Sequence, residues 1–145
     1  MNIFLQLRRI QISLVFVAIT LVSGINYSQE RDMSESPVDG VTFRFIEANG
    51  IRMRIAEAGS SGPLILFAHG WPESWYNWRH QMRYFVEVGY RVVAPDMRGY
   101  GKSDAPEGVG EYDIRKLTDD MVGVLDALEE ETAVMVGHDW GAIVA

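Results

Sequence analysis

Three short runs in this chain are apolar without interruption: Leu64-Ile65-Leu66-Phe67-Ala68, Val92-Val93-Ala94 and Ala133-Val134-Met135-Val136. A strand with one wet face alternates apolar and polar residues. A strand covered on both faces loses that alternation, and such strands are usually parallel. Helical periodicity lies between the runs. Trp75, Trp78, Met82 and Phe85 step by three and four behind Ser74, and Ile114, Leu117, Met121, Val124, Leu125 and Leu128 do so behind Asp113. Ser74 and Asp113 are suitable N-caps. Upstream, Val41-Thr42-Phe43-Arg44-Phe45 and Ile51-Arg52-Met53-Arg54-Ile55 alternate around Asn49-Gly50, the pattern of a hairpin with a type I′ turn. The order hairpin, then β-α-β-α-β predicts an α/β domain over residues 41–145, its antiparallel hairpin leading into a mostly parallel sheet with flanking helices.

The N-terminus reads differently. Arg8 and Arg9 precede an uncharged apolar run, Ile12 to Ile25, with Val22-Ser23-Gly24 suited to a signal peptidase. The run is shorter than the 18 or more residues expected of a membrane span. Residues 1–28 are therefore expected to be a signal peptide, or an N-terminal membrane anchor if uncleaved, and residues 29–40 a polar linker. The protein is then expected to be exported, periplasmic or secreted, or held at a membrane by that segment.

The chain carries 20 acidic and 13 basic residues, a net charge of −7, and two of the basic residues belong to the leader. Nucleic acid is a poor partner for such a surface, which lacks the basic face that phosphates require. A neutral ligand suits it. With no cysteine, neither a disulfide nor a cysteine-ligated metal can form, and the three histidines lack metal-ligand spacing. No cofactor and no metal are expected. Glu129-Glu130-Glu131, at the end of the second helical pattern, reads as a solvated face.

In open α/β sheets, ligands bind beyond the carboxyl ends of the strands. Three loops leave such ends. In His69-Gly70-Trp71-Pro72-Glu73-Ser74, Gly70 allows a sharp turn, and Pro72 holds Trp71 extended so that its N–H can aim inward. The alternative is a plain strand-to-helix turn with proline at the start of the helix. Pro95 to Asp104 contains Gly101-Lys102-Ser103, but a phosphate loop would need glycine at Asp96 and a helix directly after Ser103. A dinucleotide fingerprint from Gly99 would need glycine at Asp104. This loop is expected to brace its neighbours, with Asp96 and Arg98 able to pair. The third, Gly137-His138-Asp139-Trp140-Gly141, has the strand-nucleophile-helix form of a nucleophile elbow, in which a strained turn holds the central side chain out at the top of the sheet.

Together these three segments, with Trp75-Tyr76-Asn77-Trp78-Arg79 continuing the first, resemble the α/β-hydrolase-fold epoxide hydrolases. The resemblance runs from about Val41 to Ala145 and implies the N-terminal half of that fold, ending just after the elbow. Aspartate rather than serine at the elbow fits the resemblance chemically. Serine attacking an sp³ carbon would leave an ether that water does not readily cleave, whereas a carboxylate leaves an ester that water can open at the aspartate's own carbonyl carbon. The implied site is Asp139 as nucleophile and the backbone N–H groups of Trp71 and Trp140 as an oxyanion hole. His69, Gly70, Pro72, Gly137 and Gly141 support the loops. The implied partners are a small apolar epoxide and water, with a vicinal diol as product. In the family, tyrosines on a helical cap protonate the epoxide oxygen, and the general base falls well beyond residue 145.

His69 is read as a loop brace and His138 as a packed elbow residue. His80 falls on the tryptophan helix, where it is expected to face solvent or to cap packing. Trp75 and Trp78 are read as core, and Trp71 as lining the pocket. Two alternatives stand beside this reading. A dehalogenase would use the same aspartate on a haloalkane or haloacid, but haloalkane dehalogenases generally carry asparagine where Trp71 stands. A non-catalytic remnant would be a chain without its base, and this 145-residue piece alone is expected not to turn over. The reading frame after Ala145 distinguishes an incomplete record from such a remnant.

Overall fold

A computed structural model describes residues 35–145. The signal or anchor segment at 1–28 and the start of the linker lie outside the described residues. Five strands and three α-helices follow in the order β1 (Thr42–Ala48), β2 (Ile51–Ala58), β3 (Leu64–Ala68), α1 (Arg79–Glu87), β4 (Arg91–Pro95), α2 (Ile114–Ala127), β5 (Val134–Gly137) and α3 (Trp140–Val144). Among the described residues no helix is long and apolar enough to cross a membrane. The end of the linker is already engaged: Glu35 bridges Thr42, and Val38 packs against the core.

The strands form one sheet in the order β1-β2-β4-β3-β5. The hairpin contributes two antiparallel pairings, β1 with β2 and β2 with β4, while β3 pairs in parallel with both β4 and β5. The sheet is thus mixed, with its parallel part where the uninterrupted apolar runs lie. Asn49 and Gly50 both have positive φ, 48° and 77°, as the expected type I′ turn requires.

Alternate residues of β3 serve two cores. Leu64 and Leu66 point to one with Met53, Ile55, Met121, Val124 and Val144. Ile65 and Phe67 point to the other with Phe43, Trp75, Trp78, Met82 and Val92. Every residue of β3 is buried, and each large one contributes roughly 1.5–3 kcal/mol relative to exposure. This two-sided burial is what removed the alternation from the sequence. Trp75 and Trp78 are core as expected, with Phe67 stacked on Trp78 at 4.6 Å.

The helices begin at the expected caps with one refinement. Ser74 accepts from the Tyr76 N–H, but the residues it caps, Trp75–Trp78, form a 3₁₀ turn before α1. Proline at 72 therefore precedes the helix rather than opening it. Asp113 caps α2 by accepting from the Lys116 N–H at 2.9 Å. Helix α2 ends at Ala127, ahead of the glutamate run, and Glu130 is not merely solvated: it pairs with Arg91 at 2.8 Å, at the start of β4.

Candidate functional site

Strands β4, β3 and β5 are adjacent and parallel, so the loops after them meet at one edge of the sheet. The loop after β4 is a brace. Asp96, fully buried, accepts from the Arg54 side chain, at 2.8 Å from Nε, and from the Lys102 N–H at 3.1 Å. Ser103 accepts from the Arg54 N–H, and Asp104 from the Arg52 N–H, both at 2.9 Å. These bonds tie the loop to β2. Asp96 and Arg98 do not pair with each other. Arg98 turns instead to Asp120 on α2, with two bonds of 2.8 and 2.6 Å, because the loop sends Asp96 and Arg98 to different neighbours.

Against this brace sits His69, 1% exposed. Its Nε2 accepts from the Met97 N–H at 3.0 Å and its Nδ1 lies 2.9 Å from the Gly70 carbonyl, to which it donates in the matching tautomer. Both ring nitrogens are occupied, which leaves none for proton transfer to a ligand. Burial lowers the His69 pKa below its ordinary 6.5, against smaller upward contributions from the Gly70 carbonyl, Asp96 and Glu73. The unfolded chain therefore takes up a proton near pH 6.5 while the folded one resists it. Stability attributable to His69 is fully present above 6.5 and declines as the pH falls toward the folded pKa. The slope is at most about 1.4 kcal/mol per pH unit. Urea unfolding between about pH 7.5 and 5.5 should show this decline. The variant His69→Gln should be less stable overall and give a flatter profile, since the buried imidazole that resists protonation is gone.

The loop that follows brings Trp71 to the elbow. The Trp71 N–H donates to Asp139 Oδ1 at 2.9 Å, across 68 residues of sequence, while its indole is 66% exposed. The Trp71–Pro72 peptide is cis. Gly70 lies directly under the carboxylate: a Cβ there would come within 2.5 Å of Asp139 Cβ.

Asp139 stands at φ 55°, ψ −124°, a region that costs a non-glycine residue about 1–3 kcal/mol and is found mainly where function maintains it. The turn is closed by Gly141 N–H to the His138 carbonyl and Ala142 N–H to the Asp139 carbonyl, at 2.9 and 3.0 Å. The flanking glycines are required by space. A Cβ on Gly137 would strike the Gly141 carbonyl, and one on Gly141 would strike the Ala68 carbonyl, so β5 and α3 cross only without side chains there. The Asp139 side chain is exposed, and its pKa is lowered first by the Trp71 N–H, then by the Trp140 N–H, with a smaller contribution from His138. The Trp71 N–H thus bonds the ionised carboxylate, and the Trp140 N–H beside it also favours the charge.

Three features were not read from the sequence. His138, expected to pack, is exposed over 64% of its side chain and faces the Glu73 carboxylate at 3.6 Å; a polar ring beside an acid gains more in water than in the core. Glu73, within the quoted motif but given no role, also accepts from the Gly70 N–H at 3.2 Å. Tyr100 packs edge-on to His69 at 4.9 Å and lines a cavity of about 270 Å³ with Met97, Tyr112, Leu117 and Trp140. Its pKa is raised by burial and then by the Asp139 charge, which places that tyrosine in the electrostatic reach of the carboxylate. Its position in a glycine-flanked loop at the same sheet edge is the signal that could have marked it.

The family model for the alpha/beta hydrolase fold matches residues 63–145, and the chain belongs to that family. It is 49% identical to an AB hydrolase superfamily protein, YfhM, of Bacillus subtilis over 109 residues, 74% of this chain and 38% of the relative. It is 53% identical to epoxide hydrolase A of Mycobacterium tuberculosis over 104 residues, 71% of this chain and 32% of the relative. The crystal structure of epoxide hydrolase A from Mycobacterium thermoresistibile superimposes with a TM-score of 0.70 at 52% identity, covering 72% of this chain and 33% of that one. The chain thus spans about a third of the length of these relatives.

Proposed function

We propose that the protein hydrolyses a small apolar epoxide to a vicinal diol through an ester on Asp139. The observation that carries this reading is the Asp139 carboxylate itself: ionised, exposed, fixed on a strained turn, with Oδ1 held by the Trp71 N–H. Similarity to proteins named epoxide hydrolases supports the substrate class. The bond to Oδ1 leaves Oδ2 free. In the first step Oδ2 attacks a ring carbon, the ring C–O bond breaks, and the alkoxide takes up a proton. In the second step water attacks Cγ of the ester. Negative charge then collects on Oδ1, the oxygen that the Trp71 N–H already bonds, and the Trp140 N–H at the start of α3 is the second donor of this oxyanion hole, so the donors act on the second step. Collapse of that intermediate releases the diol and restores the carboxylate. The activating base is not His69, whose nitrogens are both bonded.

Because water attacks Cγ, one oxygen of the first diol comes from the enzyme. A single turnover of the protein expressed from its complete coding sequence, run in ¹⁸O-water on a simple terminal epoxide, tests this. The expected result is an unlabelled first diol and ¹⁸O in the peptide containing Asp139. Label in the first diol and none in that peptide would mean direct attack of water on the ring, and the ester would be abandoned.

A further inference from the structure

We propose that Glu73 is a positioning residue whose carboxylate clamps the Gly70–Trp71 backbone and so sets where the Trp71 N–H stands beside Asp139. The proposal rests on the ester chemistry above.

Two consecutive peptide units lead into the Trp71 N–H. The first contains the Gly70 N–H, which donates to Glu73 Oε2 at 3.2 Å. The second contains the Gly70 carbonyl and the Trp71 N–H together. That carbonyl accepts from the Glu73 N–H at 3.0 Å and lies 2.9 Å from His69 Nδ1. A peptide unit is planar, so holding the carbonyl on one side aims the N–H on the other, at Asp139 Oδ1. Among the described residues Glu73 alone grips both units, one through its side chain and one through its backbone. The same Oε2 lies 3.6 Å from the ring of His138, next in sequence to Asp139, so the clamp stands between the two loops that must stay in register. Gly70 leaves no room for even a Cβ beside Asp139, so drift of the first peptide unit is felt at the carboxylate.

The consequence is specific to one step. Ester formation needs Oδ2, which the clamp does not hold. Ester hydrolysis builds charge on Oδ1 and needs the Trp71 N–H in place. Glu73→Ala keeps the backbone bond to the Gly70 carbonyl and loses only the side-chain grip, so the loss falls short of removing a donor outright, which costs about 10²–10³-fold.

Rapid-quench kinetics on the protein expressed from its complete coding sequence, with a chromogenic epoxide, measure ester formation and ester hydrolysis separately. Glu73→Ala is expected to slow hydrolysis by about tenfold and to leave formation within about twofold, so the ester accumulates. Glu73→Gln, which can still accept from the Gly70 N–H, should restore hydrolysis to within about threefold of the parent. Equal slowing of both steps, no slowing of either, or a glutamine variant as slow as the alanine one would overturn the role. If the alanine variant does not fold, Glu73→Asp, which draws the acceptor back from the Gly70 N–H by one methylene, takes its place with amide exchange at Trp71 as the second readout: faster exchange with slowed ester hydrolysis upholds the role, and intact hydrolysis at either exchange rate overturns it. The parent protein run alongside separates this from the underlying chemistry, since a parent that forms no ester removes the ester reading itself.

Discussion

Replacing Asp139 with asparagine should lower turnover on the order of 10⁵-fold, as expected when a covalent nucleophile is removed from a site that otherwise remains assembled. The shape changes little. An amide oxygen can still accept from the Trp71 N–H at the place where Oδ1 now does, and asparagine visits positive φ at least as readily as aspartate. What disappears is the charge with which, on the proposed mechanism, the side chain attacks carbon. Folding and activity should therefore separate. The circular dichroism spectrum and melting temperature should match the parent, while diol release, followed by chromatography, should fall to background. Slow recovery of activity on storage would point to deamidation back to aspartate, visible as a gain of about one mass unit. A variant that retained a tenth of the parent's turnover would show that Asp139 is not the attacking group.

The second large effect concerns stability. Arg98 and Asp120 are 3% and 1% exposed and share two short bonds. Asn49 adds a third bond to Asp120 at 2.9 Å, which brings the hairpin turn into the network. Taking such a pair out of water is costly, and the pair repays that cost only while both partners are present. Arg98→Met should therefore destabilise the fold by about 3–5 kcal/mol, because it leaves a buried carboxylate with a single amide donor. The double variant Arg98→Met, Asp120→Leu should recover most of that loss. Denaturant midpoints for the parent, the single variants and the double variant measure this directly. A double variant as unstable as the worse single one would mean that the pair is worth more than its desolvation. The Glu111 carboxylate lies 3.5 Å from Arg98 and is more exposed, so its removal should matter far less.

The fold was legible where burial leaves a pattern. β3 is apolar at every position because both faces are covered, and the hairpin alternates where one face is covered at a time, Phe43 and Ala56 packing on one side of the sheet and Ile46 and Met53 on the other. Asn49-Gly50 announced its turn through backbone conformation. The site residues were legible as types and spacings: an acid between glycines after a strand, and a proline-held turn after another. Partnerships were not. Nothing in the one-dimensional order tells Asp96 to choose Arg54 over Arg98, since that choice depends on which strand lies alongside, and β2 rather than β3 flanks β4 on that side. The grip of Glu73 on Gly70 spans only three residues and turns on side-chain conformation, whereas the approach of Glu73 to His138 depends on two loops meeting across 65 residues. Sequence spacing carries no information at that range.

The sheet order also sets a timetable. β5, the last strand described, seats beside β3 and not beside β4, which precedes it in the chain. The bond from Trp71 to Asp139 closes a span of 68 residues. As the protein is synthesised, β3 and its loop emerge early and wait, with the Trp71 N–H facing no acceptor. The brace from Asp96 to Arg54 can form well before β5 exists, since its partners lie 42 residues apart. Contacts of long span are slow to form because the intervening chain must be ordered first. The loop is therefore shaped in advance, and the carboxylate is delivered to it later. A ribosome that has made everything up to Glu131 holds the Trp71 loop without the carboxylate that it bonds, and that bond forms only when the fifth strand docks.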